Sequence, residues 1–199
     1  MKYIQFKREV NAPIFTLQEI RLKGIKLFAY QLTLWKKRGY IVKLKNGIYV
    51  FSDNVEYFSS EELAVVIYSP SYISMEKALS SYGLIPEVVY SVTSVTPKIT
   101  RWFKNDFGDY KYYHVKSRLF FGYTQKEGKY STYFIADPEK ALLDFLYLKN
   151  VNNMEDLNSY RINWDEFKKS ADSKKLKRYA KRYNSDRITF MINQILEMV

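Results

Sequence analysis

A single histidine and no cysteine stand among the 199 residues of this chain, and that limits the covalent chemistry it can attempt. His114 lies in the run YKYYHVK, where an imidazole packed on a strand face is the ordinary reading and a general base the unusual one. A hydrolytic triad would need that base beside a nucleophile and a carboxylate, and no Gly-x-Ser-x-Gly elbow accompanies it. One imidazole without a thiol leaves no ordinary zinc set. Asp106 and Asp109 in NDFGDY can be drawn as a metal-binding carboxylate pair, but the composition is first of all that of a turn. The sequence has no Walker loop, no Gly-rich dinucleotide fingerprint, and no Gly-Ser pair followed by the spaced aspartates of a nucleotidyltransferase. It therefore reads as a non-enzyme with no metal and no cofactor.

What the side chains supply instead is positive charge, and it is unevenly spread. The formal charge is +11. Residues 1 to 51 carry eleven Lys/Arg against Glu9 and Glu19, a net +9, and residues 158 to 187 carry ten against four acids, a net +6. The middle is slightly acidic. Such asymmetry points to an anionic partner for the first quarter of the chain, while charge alone does not choose between DNA, RNA and a membrane surface. The densest stretch is LWKKRGYIVKLKNGIYVF, Leu34 to Phe51.

The elements that would position those lysines can be read locally. A short helix over about Tyr3 to Glu9 precedes Pro13, and Thr16 with Glu19 forms a capping box that opens a second helix. Gly24 ends it, and a third helix is expected from about Ile25 to Arg38. At about 100° per residue, Ile25, Phe28, Ala29, Leu32 and Trp35 share an inward face, and Lys26, Tyr30, Thr33 and Lys37 share the opposite one. Leu27 and Leu34 flank the polar stripe and fit no clean solvent face. After Gly39 the alternating strand YIVKLK, the pair Asn46-Gly47 as the left-handed residues of a two-residue turn, and IYVF predict a hairpin. Three helices closed by a hairpin form a winged helix-turn-helix, in which the third helix enters the major groove and the hairpin reaches the flanking backbone. On that reading Lys26, Tyr30, Thr33 and Lys37 face the groove, Gln31 reaches a base edge from the side, and Lys36, Arg38, Lys43 and Lys45 meet phosphates. A solvated basic face is the plain alternative, and winged helices also bind proteins.

Turn formers gather between Ser52 and Ser60, which divides the chain into residues 1–53 and 60–199. The second part reads as mixed α+β. A helix begins at Ser60-Glu61-Glu62, and another starts at Ser74 and stops at Gly83. VVYSVTSVT, KITRWF, YKYYHV, RLFFGY and YSTYFIA are strand candidates. Asp137-Pro138-Glu139 opens a helix that turns Ala141, Leu142, Phe145 and Leu146 inward, and two long helices follow, about Asn163 to Arg182 and Ser185 to Met198. The fold class is thus α+β, a winged helix-turn-helix followed by a mixed domain with a helical tail. Neither a secretory leader nor a membrane span is visible, and a soluble cytoplasmic protein is expected.

The segment YISMEKALSSYGLIPE, Tyr72 to Glu87, resembles a signature of the AbiEi family, the antitoxin and transcriptional-regulator half of AbiE-type (type IV) abortive-infection toxin–antitoxin systems. Further pieces are similar in the same order: GIYVF before it, then SVTSVT from Ser91, Phe107-Gly108 with Tyr110, FFGY from Phe120, and IADPEKALLDFLYL from Ile135. The resemblance spans Thr16 to Leu148. It implies a winged helix that binds double-stranded operator DNA, with inverted repeats, and represses its own operon. It also implies a C-terminal domain that counteracts a nucleotidyltransferase toxin without a stable complex. Carried onto this sequence, the DNA-facing positions fall between Lys26 and Arg38 and on the wing from Lys43 to Asn46. Within Tyr72 to Glu87, packing is the nearer explanation, with Ala78, Leu79 and Leu84 in the core and Glu87 set against a buried partner. The basic run Lys174 to Arg182 reads as a solvated helix face or as a second nucleic-acid contact. The rival function is a protein-interaction module docking on an acidic partner through Leu27 and Leu34.

Overall fold

The computed structural model describes residues 1–198, and Val199, the last residue of the second part as read from sequence, lies outside them. The chain is α+β. Its first part runs α1 (Tyr3–Val10), β1 (Ile14–Thr16), α2 (Leu17–Leu22), α3 (Ala29–Lys37), β2 (Ile41–Lys45) and β3 (Ile48–Phe51). α1 buries Phe6 and Val10 one turn apart and ends at Asn11 in the left-handed conformation. Both halves of the capping box at α2 form: the Glu19 N–H donates to the Thr16 hydroxyl at 3.1 Å, and the Thr16 N–H donates to the Glu19 carboxylate at 2.9 Å. The three strands make an antiparallel sheet in the order β1-β3-β2. β1 is too short to have a readable period.

That small sheet is a shared layer. Successive side chains of a strand point to opposite faces, so Tyr49 and Phe51 join Phe6, Phe15, Ile20, Trp35 and Ile41 in the first core. Val50 and the bulged Leu44 go the other way, into the core of the second part. A 3-10 helix, Ser52–Tyr57, carries the chain across.

The second part comprises α4 (Ser60–Ile67), β4 (Tyr72–Ile73), α5 (Met75–Ser81), β5 (Val92–Thr96), β6 (Arg101–Asn105), β7 (Gly108–His114), β8 (Tyr123–Glu127), β9 (Thr132–Ala136) and α6 (Pro138–Leu148). The helical tail is α7 (Met154–Asn158), α8 (Trp164–Ser170), α9 (Ser173–Tyr183) and α10 (Asp186–Met198). Six strands form a mixed sheet, β6-β7-β5-β4-β9-β8, with β5/β7 and β4/β9 parallel. β5 is buried at every position, as a strand covered on both faces must be, and α4 and α5 both pack on it. β6 is an edge strand beside the β2–β3 hairpin, where the Asn105 amide donates to the Leu44 carbonyl at 3.0 Å.

Several local expectations are corrected. α3 starts four residues later than the pattern suggests, because the Phe28 N–H is capped by the Gln31 side chain at 2.9 Å. Of Asn46 and Gly47 only Gly47 has a positive φ, +83°, and the register shifts between Lys43 and Lys45. RLFFGY is no strand. It is a 3-10 turn, Ser117–Leu119, and a loop whose rings diverge, Phe120 to Tyr72 and Phe121 to Tyr179, before a left-handed Gly122. The helix read over Asn163 to Arg182 is two, because Asp172 caps a new start by accepting from the N–H groups of Lys174 and Lys175. Glu87 is exposed. The buried polar contact of its block is instead made by Tyr72 and Ser74, whose hydroxyls donate to Asp144 at 2.9 and 2.8 Å.

Candidate nucleic-acid interface

α3 presents most of its surface to solvent. Trp35 and Gln31, one turn apart, are its two buried residues, and Leu32 is half-buried. Tyr30 is 66% exposed, with its ring stacked on that of Phe28 at 5.8 Å, and Leu34 is also exposed. Phe28, expected inward, stands outside because it precedes the first turn and the periodicity of the helix does not reach it. Thr33 is exposed with its hydroxyl donating to the Ala29 carbonyl at 3.1 Å, which leaves its oxygen free to accept. Lys36, Lys37 and Arg38 close the helix, where ammonium and guanidinium groups also favour the negative end of the helix dipole. Lys26 is exposed on the segment before α3.

Two of the residues named for DNA contact are placed differently. Gln31 is 4% exposed, accepts from the Phe28 N–H and donates to the Met1 carbonyl at 2.8 Å, so its amide is committed inside and cannot reach a base edge. Lys45 turns toward the second part: its ammonium lies 5.6 Å from the Tyr68 ring centre and 5.7 Å from that of Phe103. Burial, and then the nearby Lys98, hold it below the ordinary lysine range. Its contact is cation–π rather than phosphate. Lys43 is half-buried and Asn46 exposed.

Lys36, Lys43, Lys45 and Asn46 line a solvent-open cleft of about 560 Å³ whose other wall is Trp102 to Asp106 of β6 and the turn after it. None of Lys26, Lys36, Lys37, Arg38, Lys43 and Lys45 forms an ion pair among the described residues. A surface of cations without internal carboxylate partners is suited to an external anion, since binding costs no broken salt bridge. Sequence reasoning treated KITRWF only as a strand. The signal available was Trp102 beside Arg101 in that run, with Lys104 just after it.

The other candidates resolve into structure. His114 is exposed at the end of β7, and its Nδ1 lies 2.9 Å from the Lys98 carbonyl, to which it can only donate. Asp106 and Asp109 belong to the β6–β7 turn region, and among the described residues no three His, Asp or Glu converge as a metal set. On α9, Lys175 points inward to Asp137 and Glu139 at 3.0 and 3.1 Å, and Arg182 lies 3.5 Å over the Phe121 ring centre. Lys174, Lys177, Arg178 and Lys181 are exposed. The basic run is therefore partly a packing element and partly a solvated face. No helix among the described residues is long and apolar enough to cross a membrane. Compared with models of known protein families the chain matches none, and no curated protein matches it.

Proposed function

We propose that the chain is a DNA-binding autorepressor and antitoxin of an AbiE-like toxin–antitoxin operon, in which residues 1–53 act as a winged helix. The observation that carries this is the row of unpaired cations running from the end of α3 across the β2–β3 hairpin. Its support is the order of helices and strands in the first part, the exposure of Tyr30, Thr33 and Lys37 on one helix, and the ordered AbiEi-like motifs of the sequence. In this reading α3 enters the major groove, Tyr30, Thr33 and Lys37 meet base edges, and Lys26, Lys36, Arg38 and Lys43 meet phosphates. The second part opposes a nucleotidyltransferase toxin encoded beside it, without a stable complex.

Fluorescence anisotropy of a labelled duplex from the region upstream of the operon tests the DNA half. With these four cations on phosphates, the log–log salt slope is about −3.6, and Lys36→Ala and Lys43→Ala each reduce it by about 0.9. Unchanged slopes remove those residues from the interface. Relief of growth arrest on co-expression with the neighbouring reading frame tests the antitoxin half. A second reading, docking onto a protein, is favoured by the exposed Phe28, Tyr30 and Leu34. Nuclease-resistant co-purification with the toxin would select it.

A further inference from the structure

A second cleft, of about 500 Å³, opens where the first part joins the second, and none of the lysines of α3 or the hairpin lies in its wall. Several stretches of chain meet in it. The 3-10 helix Ser52–Tyr57 supplies Val55 and Glu56, α4 supplies Leu63, the β6–β7 turn supplies Phe107, and the β8–β9 turn supplies Lys129. Phe58, between the 3-10 helix and α4, completes the apolar lining. The volume is that of a small-molecule site, and a seam between two structural units is where such sites form. Its walls are held in place. The Lys129 N–H donates to the Glu62 carboxylate at 3.0 Å, and the Phe107 N–H donates to the Asn105 side-chain oxygen at 2.9 Å. The Phe58 ring packs 5.0 Å from that of Tyr130. Glu56 and Lys129 are exposed and carry opposite charges on different walls. Among the described residues neither forms an ion pair, with the other or with any other group. Opposite charges held apart across an apolar cleft match a molecule that brings both charges on an apolar body.

We propose that this cleft binds a small zwitterion with an apolar side chain, an α-amino acid of aromatic or branched aliphatic type. Its carboxylate meets the Lys129 ammonium, its own ammonium meets the Glu56 carboxylate, and its side chain lies against Phe58, Leu63 and Phe107. A ligand with one charge would cover the other protein charge from water without matching it. A phosphate or a sugar would leave two phenyl rings and two aliphatic side chains of the wall without an apolar partner. The site goes beyond the DNA-binding reading and does not depend on it. Residues 52–58 lead from β3 into α4, so an occupant ties that segment to the β6–β7 and β8–β9 turns.

Calorimetric titration of the full chain with L-phenylalanine, L-tryptophan and L-leucine tests it. At least one binds with a Kd on the order of 1 mM or tighter, the range open to ligands of roughly ten to fifteen non-hydrogen atoms. Glu56→Gln and Lys129→Gln each weaken that binding about threefold to tenfold, while Lys129→Arg keeps it within about twofold. Phenylacetate, which lacks the ammonium, and phenethylamine, which lacks the carboxylate, bind the wild type about tenfold more weakly than L-phenylalanine. Amide shifts in nitrogen–proton correlation spectra on adding the amino acid centre on Val55, Leu63, Phe107 and Lys129. No heat from any of the three at about 10 mM, ten times the expected constant, overturns the proposal. So does binding that both charge-removing variants leave unchanged, shifts centred elsewhere, or either singly charged compound binding as tightly as L-phenylalanine. Unfolding of the variants at the wild-type temperature verifies that these exposed side chains act on binding and not on folding. Loss of promoter binding leaves this site standing, since it shares no residue with the DNA-contacting set.

Discussion

Replacing Glu62 with Gln removes one charge from the place where α4 grips the β8–β9 turn. Glu62 is 1% exposed. Its carboxylate accepts the N–H of Ser59 at 2.7 Å, of Lys129 at 3.0 Å, of Tyr130 at 2.9 Å, and both the N–H and the hydroxyl of Ser131. Burial alone would push this carboxyl up, but the four backbone donors outweigh it and hold it at about 2, against an ordinary 4.5. A carboxyl depressed in the folded state contributes stability that is fully present above about pH 4.5 and is lost as pH falls toward 2. At about 1.4 kcal/mol per pKa unit, that is about 3 kcal/mol at neutral pH. A chain of this length unfolds with an entropy of about 0.4 kcal/mol/K near its midpoint, so Glu62→Gln lowers Tm by about 7 °C at pH 7. Because Gln has the shape of a protonated Glu, the two Tm curves should converge between pH 4.5 and 2. Circular-dichroism melts across that range check it. A gap under about 1 °C at pH 7, or one that stays constant down to pH 2.5, would refute the reasoning.

The same turn forbids a side chain at Gly128: a Cβ there would lie 2.6 Å from both the Glu62 Cγ and the Ser131 carbonyl oxygen. Gly128→Ala should cost about 1–3 kcal/mol in chemical denaturation and be less harmful in a Glu62→Ala background. In the buried cluster, Asp144 accepts from Lys140 and from the hydroxyls of Tyr72, Ser74 and Tyr183. Asp144→Asn strands a buried ammonium and should cost about 3–5 kcal/mol, whereas Lys140→Met leaves the carboxylate three hydroxyl donors and should cost less, measured in urea. Equal losses would show that the hydroxyls do not hold that charge. Gln31→Ala should lower stability by about 1–3 kcal/mol through the orphaned Met1 carbonyl and Phe28 N–H, while leaving base preference in a competition gel shift unaltered. Altered base preference would restore Gln31 to the interface.

Where backbone chemistry is local, the sequence was sufficient. Thr16 and Glu19 form their box, Gly24 and Gly83 take positive φ, and Asp137-Pro138 precedes a helix, because each effect is decided within four residues. The start of α3 is not legible because its N-cap is Phe28, which has no side-chain oxygen to mark the start, so only the returning half of a capping box forms, from the Gln31 side chain to the Phe28 N–H, while the other end of that amide donates to the Met1 carbonyl. That one contact spans thirty residues and also removed Gln31 from the candidate site. Lys45 and Lys43 are two apart and look equivalent along the strand. A one-residue bulge and the rings of Tyr68 and Phe103, supplied by other elements, send Lys45 to a different fate. Trp102 was legible as a strand residue but not as a surface one, since nothing within β6 itself says which face the sheet will cover. Charge asymmetry was visible; its continuation onto the second part required the fold.

The seating of the hairpin has a consequence for how the two halves of the molecule can be separated. Leu44 and Val50 are 2% and 0% exposed because their side chains enter the core of the second part. A fragment ending near Phe58 returns both to water, losing about 1.5–3 kcal/mol for each, and strips Lys45 of both its rings. For a unit of under sixty residues that loss is comparable to its whole stability. Truncation therefore confounds folding with function, and a weakly binding fragment says nothing about which residues bind. Point substitutions at exposed positions avoid this. Lys36 and Lys43 lie along one cleft, and only Lys43 is half-buried, so they report on binding with the shared sheet intact.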